Sequence, residues 1–170
     1  MKTIKYLVII ISIGLSLGSC RKIEQLPPIP LVKFTSFTVF DTITQLGKYK
    51  AGRLELYFED GDGDLGSILP GKEGTVTETP DLYLSLFRKK EGLMVASKDT
   101  NDFMSYRIPY MERLGVNKIL KGTISVSIFY FIPPTDTIKY DFYITDRASN
   151  VSNVASTSEI VVSANKVYTK

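Results

Sequence analysis

The stretch Phe58-Glu59-Asp60-Gly61-Asp62-Gly63-Asp64-Leu65-Gly66 sets three carboxylates at alternate positions with glycines between them. Glycine accepts backbone conformations that other residues resist, so such a loop can fold tightly and draw its carboxylates together. Clustered negative charges repel unless something compensates them, and a hard cation that prefers oxygen ligands, calcium above all, is the natural compensator. The spacing is not that of an EF-hand. Counting Asp60 as position one, position six is Leu65 where glycine is required, and position twelve is Gly71 where a bidentate glutamate is needed. Asp146 and Asn150, from a later polar loop, are candidate additions to this ligand set. The competing reading is a solvent-facing turn chosen for its backbone, with Asp146 and Asn150 capping their own loop.

Other chemistry has little material. The chain contains no histidine and one cysteine, Cys20. It therefore cannot build a Ser-His-Asp or Cys-His centre, or a His/Cys zinc site. A glycosidase-type carboxylate pair remains, and Glu55 and Glu59 are available, but their place in the chain puts them on the polar face of an alternating segment. The expected role is a non-catalytic binding or interaction module, with carboxylate-based glycan hydrolysis as the enzymatic alternative. Ten tyrosines and nine phenylalanines supply binding material. Tyr83, Phe87, Phe129 and Tyr143 fall at the outward positions of their segments and could stack on sugars or dock a protein. The stronger competing reading is that such aromatics fill the core or form cross-strand pairs, and the absence of tryptophan weakens the glycan reading.

The elements that must position these residues are strands. In Arg53 to Glu59 the residues Leu54, Leu56 and Phe58 share one face while Arg53, Glu55 and Glu59 share the other. Leu82, Leu84 and Leu86 alternate with Tyr83, Ser85 and Phe87. Ile124, Val126, Ile128 and Tyr130 alternate with Ser125, Ser127 and Phe129, and Ile138, Tyr140, Phe142 and Ile144 with Lys139, Asp141 and Tyr143. Phe34 to Phe40, Gly92 to Ser97, Phe103 to Ile108 and Val154 to Val162 are weaker strand candidates. Glu91-Gly92, Lys121-Gly122 and Pro133 to Asp136 read as turns. No window carries a helical stripe, and Tyr110 to Leu120 has room for one short helical turn. Seven or eight short strands in about 130 residues predict an all-β fold, a single antiparallel β-sandwich.

The N-terminus adds an address. Lys2 and Lys5 precede an apolar run from Tyr6 to Leu17 that ends at Gly18-Ser19, the layout of a secretory signal. The run is about a dozen residues, short of the roughly 20 needed to span a bilayer. Removing residues 1–19 lowers the 21 basic side chains to 19 against 18 acidic ones. A near-neutral chain with no basic stripe gives no electrostatic support to a nucleic-acid partner. Residues 20–30, with Pro27, Pro28 and Pro30, read as an extended tether, and residues 31–170 as the folded domain.

Three resemblances narrow the family. Leu17-Gly18-Ser19-Cys20 resembles the lipobox of bacterial lipoproteins, which implies that Cys20 is lipidated and becomes the mature N-terminus. This lipid would attach the protein to a membrane, and as the chain's one cysteine Cys20 leaves no partner for an intrachain disulfide. Tyr140-Asp141-Phe142-Tyr143-Ile144-Thr145-Asp146-Arg147-Ala148-Ser149-Asn150-Val151-Ser152 resembles the last hairpin of immunoglobulin-like and fibronectin type III-like modules. It lacks the Cys and Trp of true immunoglobulin domains. Together with the FEDGDGDLG loop, these features are similar to small immunoglobulin-like lipoproteins of the Bacteroidota. Arg21-Lys22 is unlike the acidic run that resembles a surface-export signal there, which implies an outer-membrane lipoprotein facing the periplasm, with the cell surface as the alternative, in contact with an envelope protein or glycan. An assembly subunit of an envelope complex is the alternative. If Arg53 to Glu59 is the second strand and Ile138 to Thr145 the penultimate one, the immunoglobulin-like topology brings Asp60, Asp62 and Asp64 to face Asp146 and Asn150.

Overall fold

The computed structural model describes residues 25–45, 47–67, 79–111, 118–134 and 137–170. The signal segment and Cys20 lie outside them. Among the described residues ten strands follow in order: β1 (Leu31–Thr44), β2 (Gly47–Asp60), β3 (Leu82–Lys90), β4 (Leu93–Ala96), β5 (Phe103–Tyr106), β6 (Leu120–Tyr130), β7 (Thr137–Ile144), β8 (Ala155–Ser156), β9 (Ile160–Val161) and β10 (Lys166–Thr169). The one helical element among the described residues is a 3-10 turn at Thr100–Asp102. The alternating segments fold as strands because each has one apolar face to bury.

All described strand pairings are antiparallel, and they form two sheets. One has the order β10-β1-β2-β6; the other runs β4-β3-β7-β8, with β5 also on β3 and β9 also on β7. With β1, β2 and β6 as strands A, B and E, and β3, β7 and β8/β9 as C, F and G, this is the order of an immunoglobulin-like sandwich. The inner faces meet in a core that includes Phe37, Leu54, Leu56, Leu84, Tyr140, Phe142 and Ile144. Phe37 stacks on Tyr140 at 5.8 Å. Tyr140 and Tyr130 share a buried hydroxyl–hydroxyl hydrogen bond of 3.0 Å, and burial pushes both phenols up. A buried hydroxyl needs such a partner to offset the loss of water.

Three expectations change. Lys121-Gly122 is not a turn but part of β6. A Cβ at Gly122 would press against the Phe58 ring at 3.2 Å, so packing across the sheet explains this glycine. β1 and β2 are far longer than the apolar alternation suggested, 14 residues each, because their polar ends Asp41–Thr44 and Gly47–Lys50 pair with one another. The strand following β7 is not one closing strand. It is broken into β8 and β9, and the chain then crosses to the other sheet, where β10 pairs with β1.

The break has a local cause. Thr157 donates its N–H to the Tyr140 carbonyl at 2.9 Å, yet Tyr140 N–H bonds the Thr157 hydroxyl instead of a carbonyl. Ser152 does the same opposite Ile144. Each hydroxyl passes its own proton to the next carbonyl, Ser158 O and Asn153 O, both at 2.8 Å. The ladder stays satisfied while the backbone bends away. Glu91-Gly92 forms the expected two-residue hairpin turn, with φ of 50° and 83°, between β3 and β4. Positive φ at both central positions suits the right-handed twist of the strands.

Candidate functional site

β2 ends at Asp60, and the loop that follows doubles back over its side chain. Asp60 is fully buried and accepts N–H bonds from Leu65 at 2.9 Å and Gly63 at 3.3 Å. Gly63 and Gly66 hold φ of 66° and 92°, the left-handed region that glycine occupies without strain. Between them Leu65, with no exposed surface, plugs the core. This wrapping brings ligand oxygens of Asp60, Asp62 and Asp64 within 4.8 Å of one another. Oxygens that ligate one calcium ion lie about 2.3–2.6 Å from it, so this spread fits a shared cation.

The electrostatics match. Burial pushes the Asp60 carboxyl up to about 6, helped by its contact with the neighbouring carboxyl of Asp62. Burial also raises Asp64, and the charges of Asp146 and Asp62 raise it further, while Arg147 and the Ala148 N–H oppose the shift. Asp64 Oδ2 accepts the Ala148 N–H at 3.0 Å, but its Oδ1 is shielded from solvent and accepts no hydrogen bond from the described residues.

The Asp146 loop is next to this cluster. Arg147 N–H meets the Asp64 carbonyl at 3.3 Å, and the Arg147 guanidinium donates to the carbonyls of Gly66 at 2.7 Å and Leu65 at 3.4 Å. The guanidinium also lies over the Tyr110 ring at 5.1 Å. The two loops thus share one end of the sandwich. Asp146 and Asn150, however, are engaged with each other: Asp146 Oδ1 accepts the Asn150 N–H at 2.7 Å and Oδ2 accepts its side-chain amide at 2.8 Å. The converging set among the described residues is the triad Asp60, Asp62 and Asp64. Asp146 acts on it through charge. Arg147 could be flagged from sequence only by its place beside Asp146.

The outward aromatics divide between the sheets. Tyr83 and Tyr143 stack at 4.9 Å on the outer face of the β3–β7 sheet, and Phe103, unflagged by the sequence pattern and 51% exposed, extends the row at 6.1 Å from Tyr83. Phe87 lies on the same face under Lys139, whose ammonium is 4.8 Å from the ring. Phe129 is on β6, in the other sheet, where Phe131 and Ile132 beyond it are also exposed.

Glu55 accepts the Ser36 hydroxyl at 2.9 Å and Glu59 the Tyr57 hydroxyl at 3.0 Å, both on the polar face of β2. An apolar groove of about 520 Å³ opens between β6 and the β5 side, lined in part by Phe58, Ile108, Met111 and Ile124. Its lining residues include no carboxylate. No helix among the described residues is long and apolar enough to cross a membrane. No family model, curated protein or solved structure matches the sequence.

Proposed function

We propose that this chain is a lipid-anchored envelope lipoprotein of the kind found in Bacteroidota, whose β-sandwich is a non-catalytic binding module for an envelope protein or glycan. The observation that carries the binding role is the aromatic row Tyr83, Tyr143 and Phe103, three adjoining rings on an open sheet face. Rings packed in the core would bind nothing; adjoining rings on an outer face present flat apolar area at low entropic cost. Cys20 is the anchor, placing the domain at the outer membrane on the periplasmic side. The triad Asp60, Asp62 and Asp64 is a calcium site that stabilises the loop end.

A glycan hydrolase has weaker support, since Glu55 and Glu59 are each held by a neighbouring hydroxyl on a sheet face. A second reading, a structural subunit of an envelope complex, is favoured by a different observation. Phe129, Phe131 and Ile132 are 51%, 62% and 91% exposed at one corner.

The test is a paired one. In cells, palmitate incorporation is expected in the wild type and lost in Cys20→Ser. On glycan arrays and in envelope co-purification, retention is expected to drop at least tenfold in Tyr83→Ala/Tyr143→Ala with the fold intact. Unchanged retention refutes the aromatic row; loss in a Phe129→Ser/Phe131→Ser variant instead favours the assembly reading.

A further inference from the structure

The N-terminal segment does not leave the domain at Leu31. A Cβ on Gly61 would collide with the carbonyls of Leu26 and Pro27, so the segment's backbone lies directly against the acidic loop. Leu26 is half-buried, Pro30 is buried, and Leu26, Pro27 and Pro30 line a small groove with Glu59 and Asn153. The entry into β1 is then clamped: the Asn153 side-chain amide accepts the Val32 N–H and donates to the Val32 carbonyl, both at 2.9 Å. This contact pattern copies a strand pairing with one side chain.

Covalent geometry does the rest. Cys20 precedes Leu26 by six positions, and a chain spans at most about 3.3–3.6 Å per residue, so its reach from Leu26 is about 22 Å and the thiol stays within roughly 30 Å of Gly61. β2 runs from Gly47 to Asp60, and at about 3.3 Å per residue its far end lies roughly 40 Å away.

We propose that the end of the sandwich carrying Asp60 to Asp64 and Asp146 to Asn150 is its lipid-facing surface, held towards the bilayer by the docked segment. The hairpin tip at Thr44–Gly47 points away from the lipid, with exposed Phe129, Phe131 and Ile132 near that distal end. This orientation rests on the reading of Cys20 as the anchor, and it adds to that reading a favoured membrane-facing end instead of a domain that presents any face. It places the acidic loop in the headgroup environment and leaves the apolar corner for components deeper in the compartment.

The test uses the chain from Cys20 onward, coupled through its only thiol to a maleimide lipid in vesicles that carry a dansyl headgroup acceptor. The protein has no tryptophan, so a single introduced one is the sole donor of its kind. Energy transfer is expected to be several-fold stronger from Val151→Trp, in the Asp146 loop, than from Ile43→Trp, near the hairpin tip. Inserting ten Gly/Ser residues between Lys22 and Ile23, outside the docked stretch, is expected to erase most of that difference. Equal transfer from the two probes, or the reverse order, overturns the proposal. Because the lipid is attached chemically, the result is independent of native acylation. Palmitate labelling of Cys20 in cells tests the anchor reading separately.

Discussion

Asp60 has no exposed surface, and its carboxyl is raised from 3.8 to about 6 by burial and by the adjacent Asp62. A carboxyl whose folded pKa lies above its unfolded one binds its proton more tightly in the folded state. Stability therefore falls as pH rises between the two values, with no penalty below about 4 and the full penalty above about 6. At 1.36 kcal/mol per unit the penalty is about 3 kcal/mol at most. In chelator, urea unfolding of the wild type is expected to lose stability across this window relative to Asp60→Asn. A flat difference between the two proteins would show that Asp60 titrates normally. Calcium needs the ionised triad, so it is expected to raise the melting temperature increasingly as pH passes about 6, and Asp62→Ala is expected to abolish that rise. Identical melts in millimolar calcium and in chelator at pH 7.5 would remove the ion site. Gly61 makes a separate prediction: Gly61→Val is expected to expel the docked segment, so limited proteolysis before Leu31 should accelerate severalfold while the core remains protected.

At the scale of elements, the joints carry more information than the strands. Asn153→Ala removes two hydrogen bonds and leaves the Val32 N–H and carbonyl without that partner in a half-buried place. An unsatisfied buried group costs about 1–3 kcal/mol, so a loss of that order in chemical denaturation is expected. Gly52→Ala drives a methyl into the Phe37 ring, which is itself fully buried and stacked on Tyr140, and a cost of about 1–3 kcal/mol is expected for overpacking. Either variant with wild-type stability would show that the joint relaxes freely.

These joints also mark the limit of what the sequence discloses. β3, β6 and β7 are legible because an apolar face repeating every second residue has few alternatives. The triad is legible because three Asp residues separated by single glycines are local. Asn153 is not, since its partner Val32 is 121 positions away. Ser152 and Thr157 read as ordinary strand or turn residues because their substitution for carbonyls exists only once β7 is beside them. β10 is four residues with little periodicity, and only β1 gives it a place. Phe103 joins the aromatic row through the pairing of β5 with β3, which no spacing within its own segment reveals.

At the scale of the whole molecule, the sandwich has two unlike ends and two unlike faces. One end holds the acidic loop and the chain's entry; the other holds the long β1–β2 hairpin, tied by the Lys50–Asp41 ion pair at 2.8 Å and by Asn165, which bonds both partners. The aromatic row occupies one outer face and the exposed Phe129 the opposite sheet, so a single partner cannot be expected to cover both. Tyr83→Ala/Tyr143→Ala is expected to lose retention and Phe129→Ser/Phe131→Ser to keep it, neither shifting the melting temperature by more than a few degrees.

The position of β1 has a mechanical consequence. A pull on the N-terminal segment meets first the docked stretch from Leu26 to Pro30 and then β1, a strand flanked by β10 and β2 and aligned with β2 over thirteen residue pairs. Tension along that axis loads the whole ladder in shear, so many hydrogen bonds must yield together instead of peeling one at a time. A chain path that runs from a docked N-terminal segment straight into the longest ladder of the fold thus suits the domain to bear load at that end.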